Sequence, residues 1–167
     1  MQNIMAGLDK DTPIPTEIKV QQKSKLMDVS FDNGRHFSFS FEFLRVCSPS
    51  AEVRGHGPGQ ETLQVGKRDI DITRVEPVGS YAVKPVFSDG HDSGIYSWDY
   101  LYLLGENQEA LWSDYLARLD AAELDRVRVA VLRSHQRNHA KRAATLALAE
   151  AAWAANNTIR SSTATAS

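Results

Sequence analysis

The side chains best suited to chemistry in this chain are five histidines and a single cysteine, Cys47. His135 and His139 stand four residues apart, so a helix would put both imidazoles on one face, where a metal ion could sit between them. A zinc-peptidase site needs a glutamate directly after the first histidine to act as base. That place is Gln136, and no third ligand lies nearby. The pair reads as two exposed histidines on a basic helix. His91 follows the turn Ser88-Asp89-Gly90 and precedes Asp92. No histidine has an acid two residues later, so the His-X-acid iron triad is missing. A turn histidine bonded to local backbone is the commoner case. As a metal ligand or base, His91 would act with His56, Glu52 or Cys47.

Cys47 lies in Leu44-Arg45-Val46-Cys47-Ser48-Pro49-Ser50-Ala51-Glu52. A nucleophilic cysteine needs a neighbouring base to hold it as thiolate, and no spacing in the sequence supplies one. Ser48 and Ser50 lack the Gly-X-Ser-X-Gly elbow of a hydrolase. The loop Arg54-Gly55-His56-Gly57-Pro58-Gly59-Gln60 is glycine-rich but lacks the Gly-Lys-Ser/Thr ending of a phosphate loop. It reads as a mobile loop open to a partner. The metal candidates are thus His91, Cys47 and His56. The candidate binding surface is Arg45, Glu52, Arg54, His56, Asp89 and His91.

The elements that must position these residues change in texture along the chain. Residues 1–15 are a polar, extended lead-in with Pro13 and Pro15. From Thr16 to about Val86, segments such as TEIKV, LMDVSF and HFSFSF alternate apolar and polar residues, as half-buried strands do. Asn33-Gly34 and Val78-Gly79-Ser80 mark hairpin turns. Pro85 cannot donate to a ladder and is expected at an edge or bulge. Phe31-Asp32-Asn33-Gly34 before Ser40, and Phe87-Ser88-Asp89-Gly90 before Ser97, form an echo. Each reads as strand, turn, short strand and helix start, with Ser40 and Ser97 as caps; similar turn chemistry is a simpler source than duplication. Leu111, Tyr115 and Leu119 repeat at helical spacing, predicting an amphipathic helix over 107–120 that covers the sheet. An Ala-rich basic helix follows to about residue 155, and residues 156–167 read as a frayed, disordered end.

Composition narrows the function classes. Of 167 residues, 42% are hydrophobic and 24% charged, enough for one globular domain with an appendage. One cysteine allows no internal disulfide and no cysteine-rich zinc module. That usage, and an opening without a basic and then apolar leader, points to the cytoplasm. No apolar run is long enough to span a membrane. A formal charge of −2 disfavours a general polyanion binder. The charge is split, however. Residues 123–167 hold seven Lys/Arg and three Asp/Glu, hence +4, against twelve and eighteen, hence −6, in residues 1–122. Without interleaved aromatics, nucleic acid is the disfavoured partner for this tail.

The run LRVCSPSAEVRGHGPGQ, followed by RVEPVGSYAVKPVFSDGHDSGIYSWDYL, resembles the gamma-butyrobetaine hydroxylase-like N-terminal domain family over about residues 15–120. That domain occurs alone in small bacterial proteins, before the catalytic domain of carnitine-pathway dioxygenases, and appended to some iron–sulfur carrier ATPases. In the dioxygenases it holds a structural zinc through three cysteines and a histidine. Matching Leu44-Arg45 and Pro49 puts the cysteine places at Ser48, Ser50 and Val53, and the histidine at His91. Hydroxyl and alkyl groups are poor zinc ligands beside thiolate, so the resemblance implies a domain without that metal.

The expected fold is α+β: a small antiparallel, hairpin-built sheet domain with short helices and a C-terminal helical extension. Its core would contain Phe31, Phe37, Phe39, Phe41, Leu44, Val83, Phe87, Trp98 and Leu101. The expected divisions are 1–15, 16–120, 121–155 and 156–167. The resemblance implies an accessory module, non-catalytic and without cofactor. Its protein partner would be an iron enzyme or an iron–sulfur assembly system, with self-association a further option. A metalloprotein or enzyme using His91, and nucleic-acid binding through the tail, are the alternatives.

Overall fold

A computed structural model describes residues 11–57 and 59–163, with side chains to residue 155. Of the expected lead-in at 1–15, residues 1–10 lie outside the described ones, as do the last four residues of the chain. The chain divides after Leu119 into two compact units.

The first unit begins with three strands, β1 (Pro15–Gln21), β2 (Leu26–Phe31) and β3 (His36–Ser40), in the antiparallel order β1-β2-β3. Alternation in β2 puts Met27, Val29 and Phe31 on the buried face, as the period of two requires. Two short helices follow, α1 (Phe41–Val46) and α2 (Ala51–Arg54). A second sheet is built from β4 (Ile72–Val78), β5 (Ala82–Phe87) and β6 (Tyr96–Ser97), antiparallel in the order β4-β5-β6, and α3 (Trp98–Glu106) leaves its end. The sequence suggests one sheet; the structure has two. The chain passes from β3 straight into α1 at Ser40, so no hairpin carries the first ladder on. Pro85 pairs opposite Val75, while β6 flanks β5 only at Ala82 and Val83, so Pro85 lies where that side has no neighbour.

The echoed corners share their hydrogen bonds. Gly34 N donates to Phe31 O and Phe31 N to Arg35 O; Gly90 N donates to Phe87 O and Phe87 N to His91 O. In each turn the glycine alone takes a positive φ, +81° at Gly34 and +85° at Gly90, so Asn33 does not share the left-handed role that its type suggests. The two helix starts differ. Ser40 Oγ accepts from Phe43 N at 3.1 Å, whereas Ser97 makes no side-chain cap bond and its buried hydroxyl finds no partner among the described residues. The expected Ser97 cap is therefore corrected.

Both sheets and α1 and α3 enclose one core, in which Met27, Phe39, Phe41, Phe43, Leu44, Ile72, Phe87, Tyr96 and Leu101 are almost fully buried. Eight of the nine expected core residues are buried there; Trp98 is only half-buried and donates its indole N–H to Ser80 O. Helix α4 (Gln108–Thr163) starts with Leu111 and Trp112 packed against this core and Tyr115 buried. It continues as helix through the stretch 156–163, where the sequence suggests fraying. In the second unit, the described side chains from Glu123 to Ala155 are exposed. No helix among the described residues is long and apolar enough to cross a membrane.

Candidate functional site

The segment Cys47–Ser50 joins α1 to α2 and is held from behind by two tyrosines of the β6–α3 corner. Tyr100 donates its hydroxyl to Cys47 O at 2.6 Å, and Tyr96 donates to Leu44 O. The turn at Ser88-Asp89-Gly90 brings His91 against this segment. The imidazole is buried, with Nε2 at 2.8 Å from Ser48 Oγ and 3.4 Å from Ser50 Oγ, and Nδ1 at 2.9 Å from Glu52 Oε2. A carboxylate only accepts, so Nδ1 carries the hydrogen toward Glu52. In the neutral ring Nε2 then accepts from the Ser48 hydroxyl. Ser48 Oγ also accepts weakly from Ser50 N at 3.4 Å. Residues 43 positions apart thus close one polar corner.

Glu52, His91 and Ser48 stand in the order of a hydrolytic triad, but access is missing. Ser48 is fully buried, and a Cβ on Gly94 would strike its hydroxyl. A nucleophile must meet its substrate, and this oxygen faces protein.

The zinc that the resemblance raises does not fit these residues. Around Nε2 stand two hydroxyls, its lone pair is taken by Ser48, and the third cysteine place is the buried alkyl group of Val53. The one carboxylate at the ring, Glu52, takes the other nitrogen. Burial pushes the Cys47 thiol up to about 12 in the metal-free protein, against a smaller downward pull from Arg54. His91, Cys47 and His56 therefore do not form a ligand set. Among the described residues no three His, Cys, Asp or Glu side chains gather to hold a metal ion. His135 and His139 are exposed on α4.

Outside the buried corner lies a polar cleft of about 330 Å³, lined by Arg45, Glu52, Lys67, Asp89, His91 and Asp92, among others. Asp89 is its electrostatic centre. Arg45 Nε approaches Asp89 Oδ2 to 2.9 Å and Lys67 Nζ approaches it to 2.6 Å, while His91 N donates to Oδ1 at 3.2 Å. Burial alone would raise this carboxyl; Lys67, the His91 amide and Arg45 outweigh it and hold the group at about 2. Arg45 is buried, its guanidinium 6.0 Å from the Phe87 ring centre and its Nη1 without a partner among the described residues.

Of the six residues expected at a binding surface, the structure gathers Arg45, Glu52, Asp89 and His91 in this cleft. Arg54 lies over the Tyr100 ring at 4.6 Å, and His56 is exposed in its loop. Neither lines the cleft. Lys67 is the residue that sequence reasoning misses. It lies 22 positions from Asp89 in a stretch without periodicity, and nothing local marks it.

A family model described as "Gamma-butyrobetaine hydroxylase-like, N-terminal" matches residues 18–102. Two solution NMR structures of proteins are similar to this chain. One is 51% identical, covers 71% of this chain and 89% of its own, and has a TM-score of 0.61. The other is 46% identical, covers 66% and 87%, and has a TM-score of 0.59. A crystal structure of a protein of unknown function from Acidithiobacillus ferrooxidans ATCC 23270, placed in the DUF971 family, is 37% identical over 55% of this chain and 91% of its own, with a TM-score of 0.47. None of the curated proteins matches this chain.

Proposed function

Because the chain belongs to the gamma-butyrobetaine hydroxylase-like N-terminal domain family, we propose that it works as a non-catalytic interaction module whose polar cleft docks a protein partner. One observation carries this reading: the buried Ser48 hydroxyl is bonded to His91 inside the fold, while the rim residues Glu52, Asp92 and Ser93 are exposed. Chemistry needs the opposite arrangement, a reactive group open to substrate and a supporting group behind it. Recognition needs charges held in place at the surface; the Arg45–Asp89–Lys67 network fixes the cleft, and Glu52 and Asp92 stand exposed on its rim. An iron enzyme or an iron–sulfur assembly protein is the partner class that the resemblance supports, by analogy.

Affinity capture of the native protein under gentle salt tests the proposal. A stoichiometric partner of that class, retained by the wild type and weakened at least tenfold by Asp92→Arg, is the expected result. Recovery of no stoichiometric partner, or equal retention by the variant, overturns it. Elemental analysis of untagged protein supplies a separate check. One tightly held transition-metal ion per chain, lost in His91→Ala, would favour a metalloprotein instead.

A further inference from the structure

Residues 126–142 of α4 carry Arg126, Arg128, Arg133, Arg137, Lys141 and Arg142, and no acidic residue occurs between Arg126 and Glu150. All side chains of this stretch are exposed. At about 3.6 residues per turn, Arg126, Arg133, Arg137 and Lys141 fall within roughly 80° of one another around the axis. Arg128, His135, His139 and Arg142 fall within roughly 60° on the opposite side. The helix therefore bears a stripe of four cations and, back to back with it, two arginines that bracket two histidines, over about 24 Å of its length. Between them one flank holds Val127, Val131, Ser134 and Asn138, and the other holds Val129, Leu132 and Gln136.

We propose that this stretch binds double-stranded nucleic acid, seated as a helix in a groove with the four-cation stripe facing the phosphates of one strand and Arg128 and Arg142 facing those of the other. A major groove is about 12 Å wide and admits one α-helix, with phosphates along both walls. Cations on two opposite sides match that arrangement. The flank of Val127, Val131, Ser134 and Asn138 carries amide, hydroxyl and aliphatic groups that can meet base edges on the groove floor, and the other flank faces out of the groove. A membrane surface would need one broad face of large apolar side chains, and here each flank mixes aliphatic residues with polar ones. A single strand would need aromatic platforms, and residues 126–142 contain no aromatic residue. This surface goes beyond the cleft and is independent of it.

The test is fluorescence anisotropy of the full chain with a labelled duplex of mixed sequence. Saturable binding at 50 mM salt should weaken roughly 10²–10³-fold at 200 mM, as expected for about four to six phosphate contacts. The variant Arg126→Gln/Arg133→Gln/Arg137→Gln/Lys141→Gln and the opposite-stripe variant Arg128→Gln/Arg142→Gln should each bind at least tenfold more weakly. Circular dichroism checks that both keep the helix, glutamine being a good helix former. Four outcomes overturn the proposal: no saturable binding at 50 mM salt, loss from one stripe alone, equal affinity for a single strand of the same length, or tighter binding to phosphatidylserine vesicles than to duplex.

Discussion

Asp89 joins three parts of the chain that are distant in sequence: Arg45 from α1, Lys67 from the loop before β4, and the amide of His91 beyond its own turn. Its folded-state value of about 2 lies below the ordinary 3.8 of the unfolded chain. A depressed carboxyl contributes stability that is complete above the unfolded value and disappears as pH falls through the folded one. Solvent screening at this exposed position reduces the contribution of Asp89 to at most about 1 kcal/mol at neutral pH, lost between about pH 4 and pH 2. Urea unfolding at a series of pH values should show Asp89→Asn weaker than wild type at pH 7 and converging with it near pH 2. Parallel curves would show that the charge network does not stabilise the corner. Cys47 is the converse case. No neighbour in sequence supplies a base to activate its thiol, and burial raises it to about 12 and keeps it inert.

Among the elements, the two helix starts are alike in sequence and unlike in bonding. Ser40→Ala removes a formed cap and should cost about 1 kcal/mol in denaturant unfolding. Ser97→Ala removes a buried hydroxyl that has no partner among the described residues, and should be neutral within about 0.5 kcal/mol or stabilising. Equal losses at both sites would contradict the cap assignment. This contrast shows what local sequence carries. Alternation in LMDVSF and HFSFS gives the strands and their buried face, and glycine at 34 and 90 gives the turns, because each depends on neighbours within a few residues. The number of sheets is a matter of which strands meet, and a helix inserted after Ser40 decides it. The site is legible in the same partial way. The resemblance places Ser48, Ser50 and His91 in one group, and the turn supplies His91, but the role of Glu52 at Nδ1 and of Lys67 at Asp89 depends on contacts across 39 and 22 positions.

At the scale of the molecule, the apolar cluster lies wholly in residues up to Leu119. Ending the chain there should shift the thermal midpoint by less than about 4 °C while removing much of the helical circular dichroism signal. A fall of more than about 10 °C would show that the second unit supports the first. Space in the first unit is taken up unevenly; at Gly55 the backbone of Gln60 stands in the way of a side chain, and two further glycines mark where room among the packed side chains has run out. A side-chain carbon at Gly94 would collide with Ser48 and Tyr96, and one at Gly105 would enter the Phe37 ring. In a saturation screen scored on abundance, these two positions should reject even alanine, whereas rim residues such as Asp92 should accept many replacements. A map of tolerance drawn from such a screen would light up at the two residues with no side chain and stay dark over the groups that greet a partner.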